Sequence, residues 1–167
     1  LFTTYDKAAA HLKGGAKRVV ISAPAKAGED VGVTGETILL GVNEEKFGTC
    51  DVTSNASCTT NSASPLIGIL DVAIGIEKAV LSTTHGYTAS QALVDGPSKK
   101  DLQEGRAAAQ NIVPSSTGAA IAVTQAYPKL QGLFDGISMR VPVPAGSIVD
   151  VTFIAKRETT VEEVNQI

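Results

Sequence analysis

The sequence predicts an α/β fold, and three stretches predict it. Residues 4–13 have helical composition and end on Gly14-Gly15, and the apolar run Lys17-Arg18-Val19-Val20-Ile21-Ser22 follows at once. A helix handing over to a buried strand is one half of a parallel α/β unit. Residues 58–74 are apolar at helical intervals and lead into a strand-like run at 77–84. Residues 133–143 and 147–157 then read as two long strands joined by Pro144-Ala145-Gly146, a turn of hairpin type.

In chain order, His11 falls within the first helix and reads as a surface or helix-packing histidine. The strand at 17–22 is bounded by Gly15 and Pro24, and Ala25 to Gly35 is loop-like, rich in glycine and charge. Thr37-Ile38-Leu39-Leu40-Gly41-Val42 reads as a second strand. Ser54-Asn55-Ala56-Ser57-Cys58-Thr59-Thr60-Asn61 supplies helix-capping residues, and the helix of 58–74 stacks Leu66, Leu70 and Ile74 on one face. Pro65 leaves two placements open: a helix that begins near Cys58 and bends, or one that begins near Pro65 with Cys58 in the preceding turn. The strand of 77–84 ends at His85. Thr88 to Asn111 is too long for an ordinary connector and reads as functional or interfacial. Thr117 to Ala126 reads as a helix with Gly118-Ala119-Ala120 at its start.

Composition removes several function classes. The chain of 167 residues is long enough for a domain with its own core, is 43% hydrophobic and carries a net charge of −3. That balance offers no basic patch for nucleic acid and no stretch suited to a membrane surface. No apolar run approaches the ~20 residues of a membrane span, and Leu1-Phe2-Thr3-Thr4 shows no secretory leader. Cys50 and Cys58 are so close that a disulfide would staple little, which points to a reduced, cytoplasmic setting. The sequon Asn55-Ala56-Ser57 carries no weight without secretion. No metal-ligating set is predicted. The first residue is not methionine, and the capping-box start Thr160-Val161-Glu162-Glu163 is followed by only about one helical turn before Ile167, so an internal fragment of a longer protein is expected.

The octet around Cys58 is the candidate for chemistry. A thiol at the positive end of a helix dipole, among backbone N–H groups, is favoured as the reactive thiolate. A small buried hydrophobe is an equally good reading of the octet alone. A nucleophile needs a base, and His85, where a strand gives way to Gly86-Tyr87-Thr88, is better placed than His11. Separation in sequence says nothing about separation in space, so Cys58 with His85 is a weak pair by itself.

Five motifs give the pair a context. Ser54 to Asn61, His85-Gly86-Tyr87-Thr88, Asp95-Gly96-Pro97, Ile112 to Ala120 and Met139-Arg140-Val141-Pro142-Val143-Pro144 together resemble the phosphorylating glyceraldehyde-3-phosphate dehydrogenase family, in its order and at its spacing. The resemblance implies an α/β architecture in which an α+β catalytic domain follows the end of a Rossmann-type parallel sheet. Residues 1–57 would close the NAD-binding domain and 58–167 would be part of the catalytic domain. It implies oxidation of glyceraldehyde 3-phosphate with NAD and inorganic phosphate through a Cys58 thioester, with His85 moving the proton. By the same resemblance Thr88 and Arg140 match the substrate-phosphate site, Ser57, Thr59, Thr117 and Gly118 match the attacking-phosphate site, and Ser22 matches an NAD-contacting position. Pro97 matches the proline of NAD-preferring relatives. A homotetramer is implied, with 88–111 packing across subunits.

On residue chemistry alone, Ser57 and Thr117 read as plain helix caps and Arg140 as a surface salt bridge. Gly28, Gly32 and Gly35 lack dinucleotide-fingerprint spacing, so that fingerprint would lie upstream of Leu1. Four positions depart from the family pattern: Ser62 stands where many relatives have a second cysteine, Ile121 replaces a common lysine, and Gln103-Glu104 stand where relatives usually carry one or two arginines. Glu104 would repel an anion if it pointed inward, and Arg106 is a candidate to compensate. The alternatives are an erythrose-4-phosphate dehydrogenase acting by hydrolysis, a non-catalytic binding or assembly module and, more remotely, a cysteine hydrolase.

Overall fold

A computed structural model describes residues 2–98 and 101–167. Leu1, where the chain opens, and Lys99-Lys100, inside the long segment 88–111, lie outside the described residues. The mixed α/β architecture contains two sheets. Helix α1 (Tyr5–Lys13) packs on a three-stranded parallel sheet of β1 (Val19–Ile21), β2 (Gly35–Thr37) and β3 (Val52–Ser54), in the order β1-β3-β2. Ala8, Ile21 and Val52 form its small core.

Two readings of this part change. The centre strand β3 is invisible in the sequence because three residues between polar Asp51 and Asn55 show no periodicity, yet all three are buried. The apolar run at 37–42 is not a strand. β2 ends at Thr37, and Leu39 is buried while Leu40 is exposed. Asn43 folds the run back by accepting from the Leu39 N–H at 2.8 Å, and Gly41 takes φ +75° in the turn. A short apolar run can therefore serve as a turn that plants one leucine in the core.

The second sheet holds four strands in the order β5-β6-β4-β7: β4 (Ile76–Gly86), β5 (Val113–Ser115), β6 (Phe134–Val141) and β7 (Ser147–Ala155). Strand β4 runs parallel to β6 and antiparallel to β7. The expected hairpin of the last two strands is thus corrected, because β4 lies between them. Residues 142–146 cross over the end of β4 at Gly86, whose N–H donates to Gly146 O at 2.9 Å. A Cβ at Gly86 would lie 2.8 Å from Val143 O, so the crossing needs glycine there.

Helix α2 (Cys58–Ala73) covers this sheet with α3 (Ala119–Ala126). It starts at Cys58 and continues past Pro65, so Cys58 lies in the helix and not in a preceding turn. Its buried face is Ala63, Ile67, Leu70 and Ile74, so Leu70 and Ile74 face the core as predicted while Leu66 is 44% exposed and Ile67 takes its place. Helix α3 begins two residues later than expected, with Gly118 at its N-cap and the Thr117 hydroxyl accepting from the Ala119 N–H at 3.1 Å. Helix α4 (Val161–Gln166) has the predicted cap, Thr160 Oγ1 accepting from the Glu163 N–H. The Glu163 carboxylate turns instead to Arg157 and Thr159, which together hold it down at about 2.

Candidate active site

Three elements end at one place. Helix α2 begins with Cys58, strand β4 delivers His85 one residue before its end, and β6 delivers Arg140 as the register partner of His85. The helix start is built locally. Ser57 accepts from the Thr60 N–H at 3.1 Å and shares a hydrogen bond with the Thr60 hydroxyl at 2.8 Å. The preceding Ala56 is held at φ 55°, a conformation that costs a non-glycine residue roughly 1–2 kcal/mol. That bend swings the chain from β3 into α2 and leaves Cys58 exposed at the helix's first residue, where the leading N–H groups have no partner within the helix. Cys50, by contrast, is buried, and burial pushes its thiol up.

Cys58 Sγ lies 3.4 Å from His85 Nε2. On the other side of the ring, His85 Nδ1 lies 2.6 Å from Gly86 O and 2.6 Å from Arg140 Nη1, which also donates to Gly86 O at 3.3 Å. Two proton arrangements are open to the ring, each satisfying one of the two Nδ1 contacts. With a proton on Nδ1, the ring donates to Gly86 O and Nε2 faces the sulfur. With Nδ1 accepting from the guanidinium, the ring proton sits on Nε2 and points at the sulfur. In both, sulfur and Nε2 share one proton, which is the geometry of an activated nucleophile and its base.

A cleft of about 190 Å³ opens beside the pair. Ser57, Cys58, Thr59, His85, Thr117, Gly118 and Arg140 all line it, so seven of the predicted site residues are brought together. Their donors are hydroxyls, helix-start N–H groups and a guanidinium whose Nε is buried without a hydrogen-bond partner, a set suited to oxyanions. The surface salt bridge considered for Arg140 is not formed among the described residues, because its fork turns to His85 and Gly86.

Two predicted site residues stand apart from this cleft. Thr88 lines a neighbouring cavity with Gln91 and Leu93, and its hydroxyl bonds to Ser90 Oγ at 3.0 Å and Gln91 Oε1 at 3.2 Å. Ser22 follows β1 at the carboxyl end of the parallel sheet, beside Phe2 and His11. Pro24, two residues on, does reach the Cys58 cleft. Thr60 and Ser138 also line the cleft, although no motif marks them as site residues. Ser138 is legible in the sequence, since it precedes Arg140 by two residues on one strand and so shares its face. Arg106, the candidate to compensate for the missing arginines, does not line the cleft. Its guanidinium is committed to Asp95, with Nε–Oδ1 at 3.2 Å and Nη2–Oδ2 at 3.1 Å.

Residues 57–167 match the family model for the C-terminal domain of glyceraldehyde 3-phosphate dehydrogenase. Over 164 residues the chain is 48% identical to glyceraldehyde-3-phosphate dehydrogenase B of Aspergillus oryzae, covering 98% of this chain and 47% of that protein. It is 49% identical over 165 residues to glyceraldehyde-3-phosphate dehydrogenase 1 of Schizosaccharomyces pombe, with 98% and 47% covered. For the Mycobacterium avium glyceraldehyde-3-phosphate dehydrogenase the identity is 49% over 166 residues, with 99% and 47% covered. The chain therefore spans about half the length of the curated relatives it matches.

Proposed function

Because this chain belongs to the glyceraldehyde-3-phosphate dehydrogenase family, matching its C-terminal domain, we propose that the complete protein carrying it converts D-glyceraldehyde 3-phosphate and inorganic phosphate to 1,3-bisphosphoglycerate, reducing NAD. The observation that carries this reading is the 3.4 Å approach of Cys58 Sγ to His85 Nε2 at the mouth of an oxyanion-lined cleft. The Cys58 thiolate attacks the aldehyde carbon, forming the C–S bond of a hemithioacetal, and His85 supplies a proton to the new oxygen. His85 then takes that proton back as the carbonyl reforms. NAD supplies the acceptor for the hydride that leaves the same carbon. A phosphate oxygen adds to the resulting thioester, the C–S bond breaks, and the acyl phosphate departs with Cys58 restored as thiolate. Sulfur suits this sequence because a thiolate leaves readily.

Arg140 and Thr88 are assigned to the substrate phosphate, and Ser57, Thr59, Thr117 and Gly118 to the attacking phosphate. For the cofactor, the residues present fit one end only. Ser22 sits where ligands bind α/β sheets, at the carboxyl end of a parallel strand, and Pro24 links that edge to the Cys58 cleft. Residues 1–57 accordingly close an NAD-binding domain and 58–167 form part of the catalytic domain, in keeping with their separate sheets. A homotetramer working in the cytoplasm completes the proposal. No helix among the described residues is long and apolar enough to cross a membrane.

The test is thiol alkylation of the complete protein under conditions that leave buried Cys50 unmodified. Blocking Cys58 is expected to abolish phosphate-dependent NAD reduction, and activity that survives stoichiometric Cys58 modification would end the assignment. Measuring turnover on glyceraldehyde 3-phosphate and on erythrose 4-phosphate, with and without inorganic phosphate, separates phosphorolysis from hydrolysis.

A further inference from the structure

Glu104 lies on a pinned segment that hydrogen-bonds to the chain leading into the cleft. It belongs to the 3-10 turn Leu102–Gly105, capped by Asp101, whose carboxylate accepts from the Gln103 N–H at 2.9 Å. The turn is tied down from the other side. Glu104 O accepts from the Ala92 N–H at 3.1 Å, and Gly105 O accepts from the Gly96 N–H at 3.0 Å. A Cβ at Gly105 would collide with Gly96 O, so the two strands of chain meet as closely as backbone allows. From this platform Glu104 Oε1 accepts from the Ser115 hydroxyl at 2.7 Å. Ser115 ends β5, and the next three residues, Ser116, Thr117 and Gly118, line the Cys58 cleft.

Glu104 forms no ion pair among the described residues. The ion pairs among the described residues join Glu36 with Lys46, Asp71 with Lys129, Asp95 with Arg106 and Glu163 with Arg157. Consecutive Cα atoms are about 3.8 Å apart, so Ser115 lies within about 8 Å of Thr117. A carboxylate hydrogen-bonded to the part-buried Ser115 hydroxyl is therefore two residues of chain from the donors Thr117 and Gly118, and partly buried like charges are screened less than exposed ones over such a span.

We infer that Glu104 is a specificity-determining residue for the acyl acceptor: its carboxylate, anchored on Ser115 two residues before the Thr117–Gly118 donors, weakens the binding of the attacking phosphate. The effect falls on the second half-reaction, because the acceptor's anion binds there. This rests on the thioester reading above. It predicts that a charged acceptor is selected against relative to an uncharged one such as water.

The experiment compares the unsubstituted complete protein with Glu104→Gln and Ser115→Ala. Each is assayed for the burst of NAD reduction, for the KM of inorganic phosphate and for thioester hydrolysis without phosphate. Glutamine keeps an acceptor for Ser115 and removes the charge. Glu104→Gln is expected to lower the phosphate KM about three- to tenfold, with burst and hydrolysis unchanged, and the difference should shrink as salt rises. Ser115→Ala keeps the charge and is not expected to lower that KM. A phosphate KM that stays put in Glu104→Gln while the burst persists overturns this inference alone, and so does an equal fall in Ser115→Ala. Activity of the unsubstituted protein that survives blocking of Cys58 overturns the thioester reading and this inference together.

Discussion

Gly86 holds more of the site than its size suggests. Its carbonyl faces both His85 Nδ1 and Arg140 Nη1, and its missing Cβ lets residues 142–146 cross the end of β4. Gly86→Ala places a methyl against backbone, where neither partner can rotate away. The expected cost is about 1–3 kcal/mol, read as a lower denaturation midpoint. Turnover should fall further than stability explains, because the carbonyl that orients the imidazole moves. Arg140→Lys makes a different prediction. Lysine keeps the charge but cannot reach His85 Nδ1, Gly86 O and an anion with one planar fork. Substrate KM is expected to rise about tenfold or more, with the fold intact by circular dichroism.

Helix α2 serves the site at one end and the fold at the other. Near its last turn, Asp71 accepts from the Ile76 N–H at 2.9 Å, which seats the start of β4, and pairs with Lys129 beyond α3. Burial pushes the Asp71 carboxyl up, but the Lys129 ammonium and the Ile76 N–H together hold it below its ordinary value. The Asp71 hydrogen bond in turn holds the Lys129 ammonium above its ordinary value. Below an ordinary carboxyl's value of about 3.9, the unfolded chain takes up a proton that the folded chain refuses, so stability falls as pH drops through that range. On the alkaline side the folded chain keeps its Lys129 proton longer, so the contribution is complete below about pH 10.4 and fades above it. Asp71→Asn retains an acceptor for Ile76 and loses the pair. It is expected to cost about 1–3 kcal/mol at neutral pH and to flatten the acid limb of the stability curve, measured by urea unfolding across pH. A limb as steep as that of the unsubstituted protein would count against the pair.

At the scale of the whole molecule, the parallel sheet has three short strands and a small core, and large apolar side chains stay exposed at Leu93, Val94 and Leu102. The 167-residue chain alone is expected to show no tight NAD binding by calorimetric titration, since no dinucleotide fingerprint lies within it. Micromolar binding by this chain would place the nucleotide site elsewhere than proposed.

How much was legible follows from the range of each signal. Capping chemistry at Ser57 and Thr160, the helix and strand succession, and the identity of Cys58 and His85 are written in contiguous residues, where propensity and hydrogen bonding act locally. The family motifs likewise lie in the one-dimensional string. What the string does not carry is which strand pairs with which. β4 came between two strands that looked like a hairpin, β3 was too short to show a period, and Ile67 replaced Leu66 on the buried face. Only the folded chain decided that Cys58 meets His85, that Arg140 turns to the imidazole rather than to a surface carboxylate, and that Arg106 is spent on Asp95. Those outcomes depend on long-range register, where packing energy chooses among arrangements that local preference leaves equal.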